Sequence, residues 1–402
     1  PSAHSTVPRL TPTLWALCPV VMLAPALACV APRSMAALYI ASAIFAIIAH
    51  WYRTRRLPAV EKHWLYAVAA FTGYVALSQL WTINPEETLG KAAELGGMFL
   101  LAAALHAIFK SFDEAALSKL GRMLATGFWL GVAVYFIEQK THYALYDLVR
   151  EGHDADVVDV KTNKPAYLIA LWAALAFPFF WRRAIYGWVS AAMALVYVVF
   201  TAKSMSVQVV LAGLPVLWLA LKYLPVRFNL RLAALGTIAL AVLMPLIAMY
   251  AYTVTNFADR DANGSITSRI EIWNQAAQRV REHPLLGWGL DSASKLPNRG
   301  EISVIPAYAE RHMGIAHLHP HNMPMQIWFE LGGVGVAAFC AFVLFVMTRI
   351  EAMPADGQRY AIFMWAILFL NTLASWGIWQ SWFIASLAFA AVVTSAGSRA
   401  KI

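Results

Sequence analysis

Charged residues are scarce in this sequence. Asp, Glu, Lys and Arg make up 13% of its 402 positions, whereas a soluble domain carries roughly a quarter. Hydrophobic residues make up 60%, and the mean hydropathy is +0.59. Because a water-soluble fold cannot bury so much apolar surface, the composition excludes an ordinary soluble domain and predicts a polytopic membrane protein.

Cysteine and alternating patterns are scarce as well. Cys18, Cys29 and Cys340 all lie inside apolar runs, so they offer neither a paired disulfide framework nor the spacing of metal ligands. We expect them to be small packing residues. The apolar runs are continuous rather than alternating, which excludes a transmembrane β-barrel and leaves an all-α fold.

Apolar runs of about the length of a bilayer crossing follow one another along the chain. We predict twelve transmembrane helices, over residues 14–30, 35–51, 64–81, 92–109, 123–137, 165–181, 185–202, 207–223, 232–254, 325–348, 360–376 and 379–395. The first is expected to be a retained span, because others follow it at once. The chain is thus predicted to have three parts. Residues 1–254 contain nine spans, residues 255–324 form one long loop with short helices, and residues 325–402 contain three spans.

The positive charges fix the predicted orientation. One set of alternate loops holds most of the Lys and Arg residues, including Arg53, Arg55 and Arg56 after the second span. The positive-inside rule places these loops and both termini in the cytoplasm. The long loop then lies on the opposite side, which is the periplasm in a bacterium. The net charge of +9 is explained in this way, and no nucleic-acid partner is expected.

The long loop contains an amphipathic segment with a cation near its start. Ser268 and Glu271 fit a capping box, which predicts a helix from Ser268 to about His283 that Pro284 stops. Arg269 then falls in the first turn of this helix. It is either an exposed arginine of little consequence or, together with the free backbone N–H groups, a phosphate-binding group.

Three histidines stand where the long loop meets the tenth span. His317, His319 and His321 alternate, so an extended segment would present them on one face. They could bind a metal, form a plain interfacial loop, or supply a general base, since imidazole titrates near neutral pH. We favour His321 as the base, because Asn322 and Pro324 place it at the rigid start of the span.

Other polar residues nearby could join a site. Glu330 in the tenth span shares a helix face with Gln326 and is either functional or merely interfacial. Lys203, between spans seven and eight, either lies in a short outer turn or adds a second cation to an anion site. Gly332 and Gly333 are expected to allow close helix packing.

These motifs resemble the bacterial O-antigen ligases, within the superfamily that also contains O-antigen polymerases and protein O-oligosaccharyltransferases. The resemblance rests on Ser268-Arg269 with Trp273, on His-Pro-Leu-Leu-Gly-Trp-Gly at residues 283–289, and on His321-Asn322 leading to Gln326, Glu330 and Gly332. It implies a GT-C-like membrane glycosyltransferase, all-α, with about twelve transmembrane helices and one long periplasmic loop.

The resemblance also implies a reaction. An O-antigen glycan would pass from undecaprenyl pyrophosphate to lipid A-core at the periplasmic face of the bacterial inner membrane, by metal-independent inverting displacement without a cofactor. His321 would take the acceptor proton, with His319 beside it, while Arg269 would neutralise the pyrophosphate. The expected substrate contacts are Lys203, Arg279, His317, Asn322 and Glu330.

One stretch departs from the family pattern. The family often has an arginine near the start of the eighth span, where this chain reads Ser204-Met205-Ser206. Lys203 is the cation next to it, and a lysine lacks the bidentate fork of an arginine. At the expected pyrophosphate site, Lys203 would therefore take the place of the arginine as a point charge.

Two other functions stay open. A polymerase would join glycan repeat units with the same base. A transporter of polyprenyl-linked glycans belongs to a different class, and it predicts repeated halves and a charge-lined path at the membrane midplane. The polar residues gather instead near the outer surface, and no clear internal repeat is present, which favours the ligase.

Overall fold

The computed structural model describes residues 12–149, 158–180, 185–202, 205–255, 265–295, 319–374 and 376–399. Regular structure in these ranges is helical. In chain order the helices are α1 Pro12–Val30, α2 Ser34–Thr54, α3 Lys62–Leu77, α4 Pro85–Lys110, α5 Glu114–Lys140, α6 Ala144–Val149, α7 Val158–Phe180, α8 Ile185–Thr201, α9 Met205–Tyr223, α10 Val226–Val254, α11 Ser265–Val280, α12 Met323–Glu351, α13 Ala355–Thr372 and α14 Ser381–Gly397.

Each of the twelve predicted apolar runs coincides with one of these helices. Within the described part of the chain, six helices are long and apolar enough to cross a bilayer, namely α1, α2, α4, α5, α10 and α12. The chain is therefore a multi-pass helical membrane protein, as predicted. That all twelve segments cross the bilayer, and that the long loop faces the periplasm, stay predictions.

The centre of the bundle is α14. Thirteen of its seventeen residues are buried, and it packs against α2, α4 and α7. A helix that is apolar on every side is expected to be surrounded by other helices.

The indole N–H of Trp172 on α7 donates to the carbonyl of Val21 on α1 at 2.6 Å. Pro25, four residues after Val21, has no N–H to bond that carbonyl, so the tryptophan takes its place.

At one end of the bundle lie residues 265–295 and 319–322, and we call this the loop end. Here α11 packs on α10 and α12. Its apolar face contributes Ala276, Ala277 and Val280 to a small core shared with Met325 and Phe329 of α12. The predicted amphipathic helix therefore lies on the bundle.

The bounds of α11 differ from those predicted. The helix begins at Ser265 rather than at Ser268, which therefore lies inside it and is not its N-cap. Thr267 is buried at 3% exposure, so packing against the protein extends the helix back beyond the capping motif. Arg269 consequently lies in the second turn, one turn away from the free N–H groups.

The helix also ends early, at Val280 rather than near His283. The indole N–H of Trp288 donates to the carbonyl of Arg279 at 3.1 Å. The N–H of His283 would have bonded that carbonyl in a continuing helix. Instead, the carbonyl accepts this indole and the N–H of Glu282, also at 3.1 Å, so a tighter turn and a tertiary hydrogen bond end the helix before Pro284.

Candidate active site

The site begins with a break in α12. Gly332 has φ +62° and ψ −165°, values outside the helical region. Residues 283–291, here called the docked loop, pair with the backbone that the break exposes. The N–H groups of Trp288 and Gly289 donate to the carbonyls of Phe329 and Glu330, both at 2.9 Å, and those of Gly333 and Val334 donate to Pro284 and Leu285, at 2.8 and 3.1 Å.

Glycine is required on both sides of this junction. A Cβ at Gly332 would collide with the carbonyl oxygen of Leu285. Gly287 has φ +67°, and a Cβ there would lie 2.5 Å from the carbonyl carbon of Glu330. The expectation that Gly332 serves helix packing is therefore wrong, because this glycine admits a loop backbone into the helix.

Glu330 holds the junction together from inside the protein. Its side chain is fully buried. Oε2 accepts hydrogen bonds from the backbone N–H of Asp291 at 2.7 Å and from the indole of Trp379 at 2.5 Å, and Oε1 accepts from Gln326 at 3.0 Å. With its carboxylate occupied in this way, Glu330 positions the docked loop. The substrate contact predicted for it stays untested.

Gln326 extends the same network to residues 373–380, which join α13 to α14 and are called the linker below. Its Oε1 accepts the backbone N–H of Ile378 at 2.9 Å. The side-chain pair Gln326 and Glu330 therefore fastens both the docked loop and the linker to α12. Buried polar groups that are fully bonded in this way make the local structure rigid.

Asn322 is the N-cap of α12. Its Oδ1 accepts the N–H of Met325 at 2.9 Å, and its Nδ2 donates to the carbonyl of Leu373 in the linker, also at 2.9 Å. The residue is 1% exposed. These hydrogen bonds give Asn322 a role in positioning the start of α12 and the linker. The substrate contact predicted for Asn322 stays a prediction.

His321 stands directly before that cap, as predicted. It has φ +53°, a left-handed conformation that is uncommon for residues other than glycine but that histidine adopts more readily than most, and it is partly buried. Pro320 before it and the capped turn after it hold this conformation. Backbone strain of this kind costs roughly 1–3 kcal/mol and is found at functional sites.

Arg269 reaches the same region from α11. The indole of Trp273 donates to the carbonyl of Pro320 at 2.6 Å, which fastens α11 to the segment carrying His321. Arg269 precedes Trp273 by one helical turn, on the same face. Burial lowers the pKa of its guanidinium from the ordinary value, yet an arginine stays cationic at neutral pH. Among the described residues, no carboxylate forms an ion pair with Arg269.

His319 lies against the linker. A Cβ at Gly377 would be 2.9 Å from its ring carbon Cγ. Its Nδ1 is buried and has no hydrogen-bond partner in the described part of the chain. Burial lowers the pKa of His319, and the nearby Asp291 carboxylate raises it. The imidazole is therefore largely neutral at pH 7.

Three charged residues near His319 were missed from the sequence. Asp291 ends the docked loop with φ +58°, and its carbonyl accepts the Nδ2 of Asn84 at 3.2 Å. Lys91 on α4 pairs with Glu94 at 2.7 Å and donates to the carbonyl of Trp379 in the linker at 3.4 Å.

A carboxylate within an apolar span is the signal that could have found this group. Glu94 also accepts the hydroxyl of Ser381 at the start of α14. Lys91, Glu94, Asp291 and His319 are called the polar pit below. Burial raises the pKa of Asp291, while Lys91 and His319 lower it.

The remaining predicted contacts are placed less favourably. Arg279 is 5% exposed, and its Nη1 lies 3.4 Å from Oε1 of Glu282. Its burial and pairing favour a structural role over the predicted contact with pyrophosphate. Lys203 and His317 lie outside the described residues. Within those residues, no three His, Cys, Asp or Glu side chains are grouped to hold a metal ion.

Comparison with known proteins shows which family the region around the site resembles. A profile of the family described as O-antigen ligase matches residues 189–340. A Rickettsia bellii protein named "Putative polysaccharide ligase" is 24% identical over 79% of this chain and 76% of its own length. A protein of that name from Rickettsia prowazekii is 23% identical over the same shares, and one from Rickettsia conorii is 33% identical over 30% of this chain and 29% of its own.

Over residues 189–340 the chain resembles the O-antigen ligase family. The resemblance stated from the sequence motifs is thereby confirmed. The matched region contains α11, the docked loop and the break in α12, and so it includes Arg269 and His321. The linker and the α4 side of the polar pit lie outside this matched region of the ligase family.

Proposed function

We propose that this protein transfers an O-antigen glycan from undecaprenyl pyrophosphate to a sugar hydroxyl of lipid A-core. The observation that carries the proposal is the 2.6 Å hydrogen bond from Trp273 to Pro320. It fastens the helix of Arg269 to the residue that precedes His321. This contact supports a cation and a base acting together, which is what displacement of a pyrophosphate by a hydroxyl requires.

His321 is the proposed base. The acceptor hydroxyl oxygen would form a bond to the anomeric carbon of the donor sugar, and the bond from that carbon to the pyrophosphate oxygen would break. The hydroxyl proton would move to the imidazole of His321. Because attack occurs opposite the leaving group, the configuration at the anomeric carbon would invert.

Arg269 is the proposed partner of the leaving group. Polyprenyl pyrophosphate gains negative charge as it departs, and a fixed guanidinium stabilises that charge with two parallel hydrogen bonds. Partial burial strengthens the attraction because less water screens it. A fixed cation can supply the charge that a divalent metal supplies in many glycosyl transfers, so we expect transfer without added metal.

The test is reconstitution. Purified protein in liposomes would be given a polyprenyl-pyrophosphate-linked glycan and lipid A-core, with and without excess chelator. We expect glycan-modified lipid A-core in both samples. Strict dependence on added metal would contradict the metal-free mechanism and revive the histidine metal site.

A second experiment separates the ligase from its alternatives. The gene would be expressed in a bacterium that lacks its own ligase, and the lipopolysaccharide would be separated by size. Restored long glycan caps support the ligase. In the organism that carries this gene, deletion of the gene is informative as well: lipopolysaccharide capped with a single glycan unit would indicate that the protein is a polymerase. Movement of the glycan across the membrane without a covalent product would indicate a transporter.

A further inference from the structure

The polar pit differs in charge from the surroundings of Arg269. It contains one lysine, two carboxylic acids and an imidazole that is largely neutral at pH 7. With both acids ionised, the sum of these charges is negative. Such a group repels a pyrophosphate. Carboxylates accept hydrogen bonds and an ammonium donates them, which is the combination that hydroxyl groups require.

The residues of the polar pit are held in place by hydrogen bonds, two of which connect the docked loop and the linker to the carboxylate of Glu330. The backbone N–H of Asp291 and the indole of Trp379 both donate to Oε2 of Glu330, at 2.7 and 2.5 Å. Lys91 is joined to the same linker through the carbonyl of Trp379 at 3.4 Å. Sites held in this way lose little entropy when a ligand binds.

Among the described residues of the pit, one buried polar atom has no hydrogen-bond partner. Nδ1 of His319 is buried, and no described residue forms a hydrogen bond with it. A buried polar atom of this kind costs free energy that a partner would recover. The ring itself is held against Gly377. A hydroxyl group that entered the pit would supply the missing partner.

We propose that Lys91, Glu94, Asp291 and His319 form a binding site for sugar hydroxyl groups, next to the transfer site. The proposal rests on the proposed function for the identity of the two sugars present, those of the donor glycan and those of lipid A-core. Recognition would be by hydrogen bonds from hydroxyls to the carboxylates and the imidazole, and from Lys91 to hydroxyl oxygens.

The test compares Asp291→Asn and His319→Gln with Glu86→Gln. Glu86 is an exposed acid in the first turn of α4 and provides a control with the same loss of charge as Asp291→Asn. Initial rates of transfer would be measured while each substrate is varied in turn. Thermal unfolding would confirm that each variant folds, and Asp291→Gly, which accommodates the positive φ at this position, would be used if Asp291→Asn does not.

We expect Asp291→Asn to raise the KM for one substrate about tenfold, since a hydrogen bond to a charged group is lost. His319→Gln should raise the KM for the same substrate about fivefold, since a hydrogen bond to a neutral group is lost. In both variants kcat changes less, and Glu86→Gln matches the parent protein. A rise in KM for lipid A-core assigns the pit to the acceptor. A rise for the polyprenyl-linked glycan assigns it to the donor. Unchanged KM values for both, or an equal change in Glu86→Gln, would overturn the proposal.

A binding measurement tests the hydroxyl site separately from the proposed transfer reaction. If the parent protein made no transferred product, binding of lipid A-core and of the polyprenyl-linked glycan would be followed separately by tryptophan fluorescence. Weaker binding of either lipid to Asp291→Asn than to the parent would still support the hydroxyl site. Equal binding of both lipids would contradict it, whatever the outcome for transfer.

Discussion

Arg269 and the polar pit are two partly buried charged regions at the same end of the bundle, and their partners differ. No described carboxylate forms an ion pair with Arg269, which is held in place through Trp273 on the same helix. Lys91, by contrast, has Glu94 at 2.7 Å, and Asp291 stands nearby. An unpaired cation is suited to an anion, and a mixed group is suited to neutral hydroxyls.

The two regions also differ in how they are built. The Arg269 side depends on one short helix and one hydrogen bond. The pit depends on the docked loop, the linker and α4, which Glu330 joins from inside α12. We therefore expect the Arg269 side to respond to loss of charge, and the pit to respond to loss of backbone geometry as well as to loss of charge.

The largest effect is expected at Arg269. Replacing it with alanine removes the cation proposed for the leaving group, so kcat/KM for the polyprenyl-linked donor should fall about 100-fold. Arg269→Lys should recover part of the activity, because a lysine keeps the charge without the bidentate fork. Initial rates at varied donor concentration measure both effects.

Arg281 offers a matched control for that variant. It follows α11 directly and is exposed. Arg281→Ala removes the same side chain near the same helix and should leave donor kinetics unchanged. Comparable losses in Arg269→Ala and Arg281→Ala would show that general positive charge, rather than a defined site, serves the donor.

A somewhat smaller effect is expected at Gly332. An alanine there must adopt a positive φ and meets the Leu285 carbonyl, so unfolding free energy should fall by about 2 kcal/mol or more. Release of the docked loop would move Asp291 and spare α11. The KM for the substrate that binds the pit should therefore rise, whichever substrate that is.

Thermal unfolding in detergent would measure the loss of stability at Gly332. Gly236→Ala on α10 is the control, since a Cβ at Gly236 has no other atom within 4 Å. A helical alanine in open space should be neutral or stabilising by about 0.5–1 kcal/mol. Equal behaviour of the two variants would contradict the role given to the helix break.

The smallest effect concerns pH. Burial lowers the pKa of His319 below its usual value of about 6.5, so its neutral form stabilises the fold above that pH. This contribution is lost as pH falls through the folded-state pKa. The raised pKa of Asp291 acts in the opposite sense, because its contribution is present below the usual aspartate pKa and is lost as pH rises through the folded value.

His319→Gln should therefore flatten the dependence of Tm on pH below about 6.5, relative to the parent protein. Melting curves at a series of pH values give the measurement. An unchanged slope would show that His319 does not titrate differently in the folded and unfolded states, which would weaken the description of the pit.

The sequence predicted much of the Arg269 side. The length of the hydrophobic runs located the helices, and short motifs pointed to Arg269 and to His321. Each run or motif consists of residues that are close together in the sequence, so each could be read without knowing the fold. The capping motif at Ser268 was misleading, since burial of Thr267 extends the helix past it. Local propensity is a weak guide where tertiary packing competes with it.

The polar pit could not be predicted in the same way. Its contacts join Asn84 to Asp291 and Lys91 to Trp379, pairs separated by 207 and 288 positions along the chain. Glu94 is an acid in an apolar span and was therefore a signal, but no sequence motif connects it to His319. The positive φ of Gly332 was also hidden, because glycine in a membrane helix usually indicates helix packing.

The central claim is that His321 accepts the proton of the acceptor hydroxyl, and one measurement tests it directly. Purified parent protein and His321→Ala would be supplied with polyprenyl-pyrophosphate-linked glycan and lipid A-core, and product formation followed over time. The account predicts that the variant folds, binds both lipids and transfers glycan about 100- to 10,000-fold more slowly. Transfer by His321→Ala at the parent rate would contradict it.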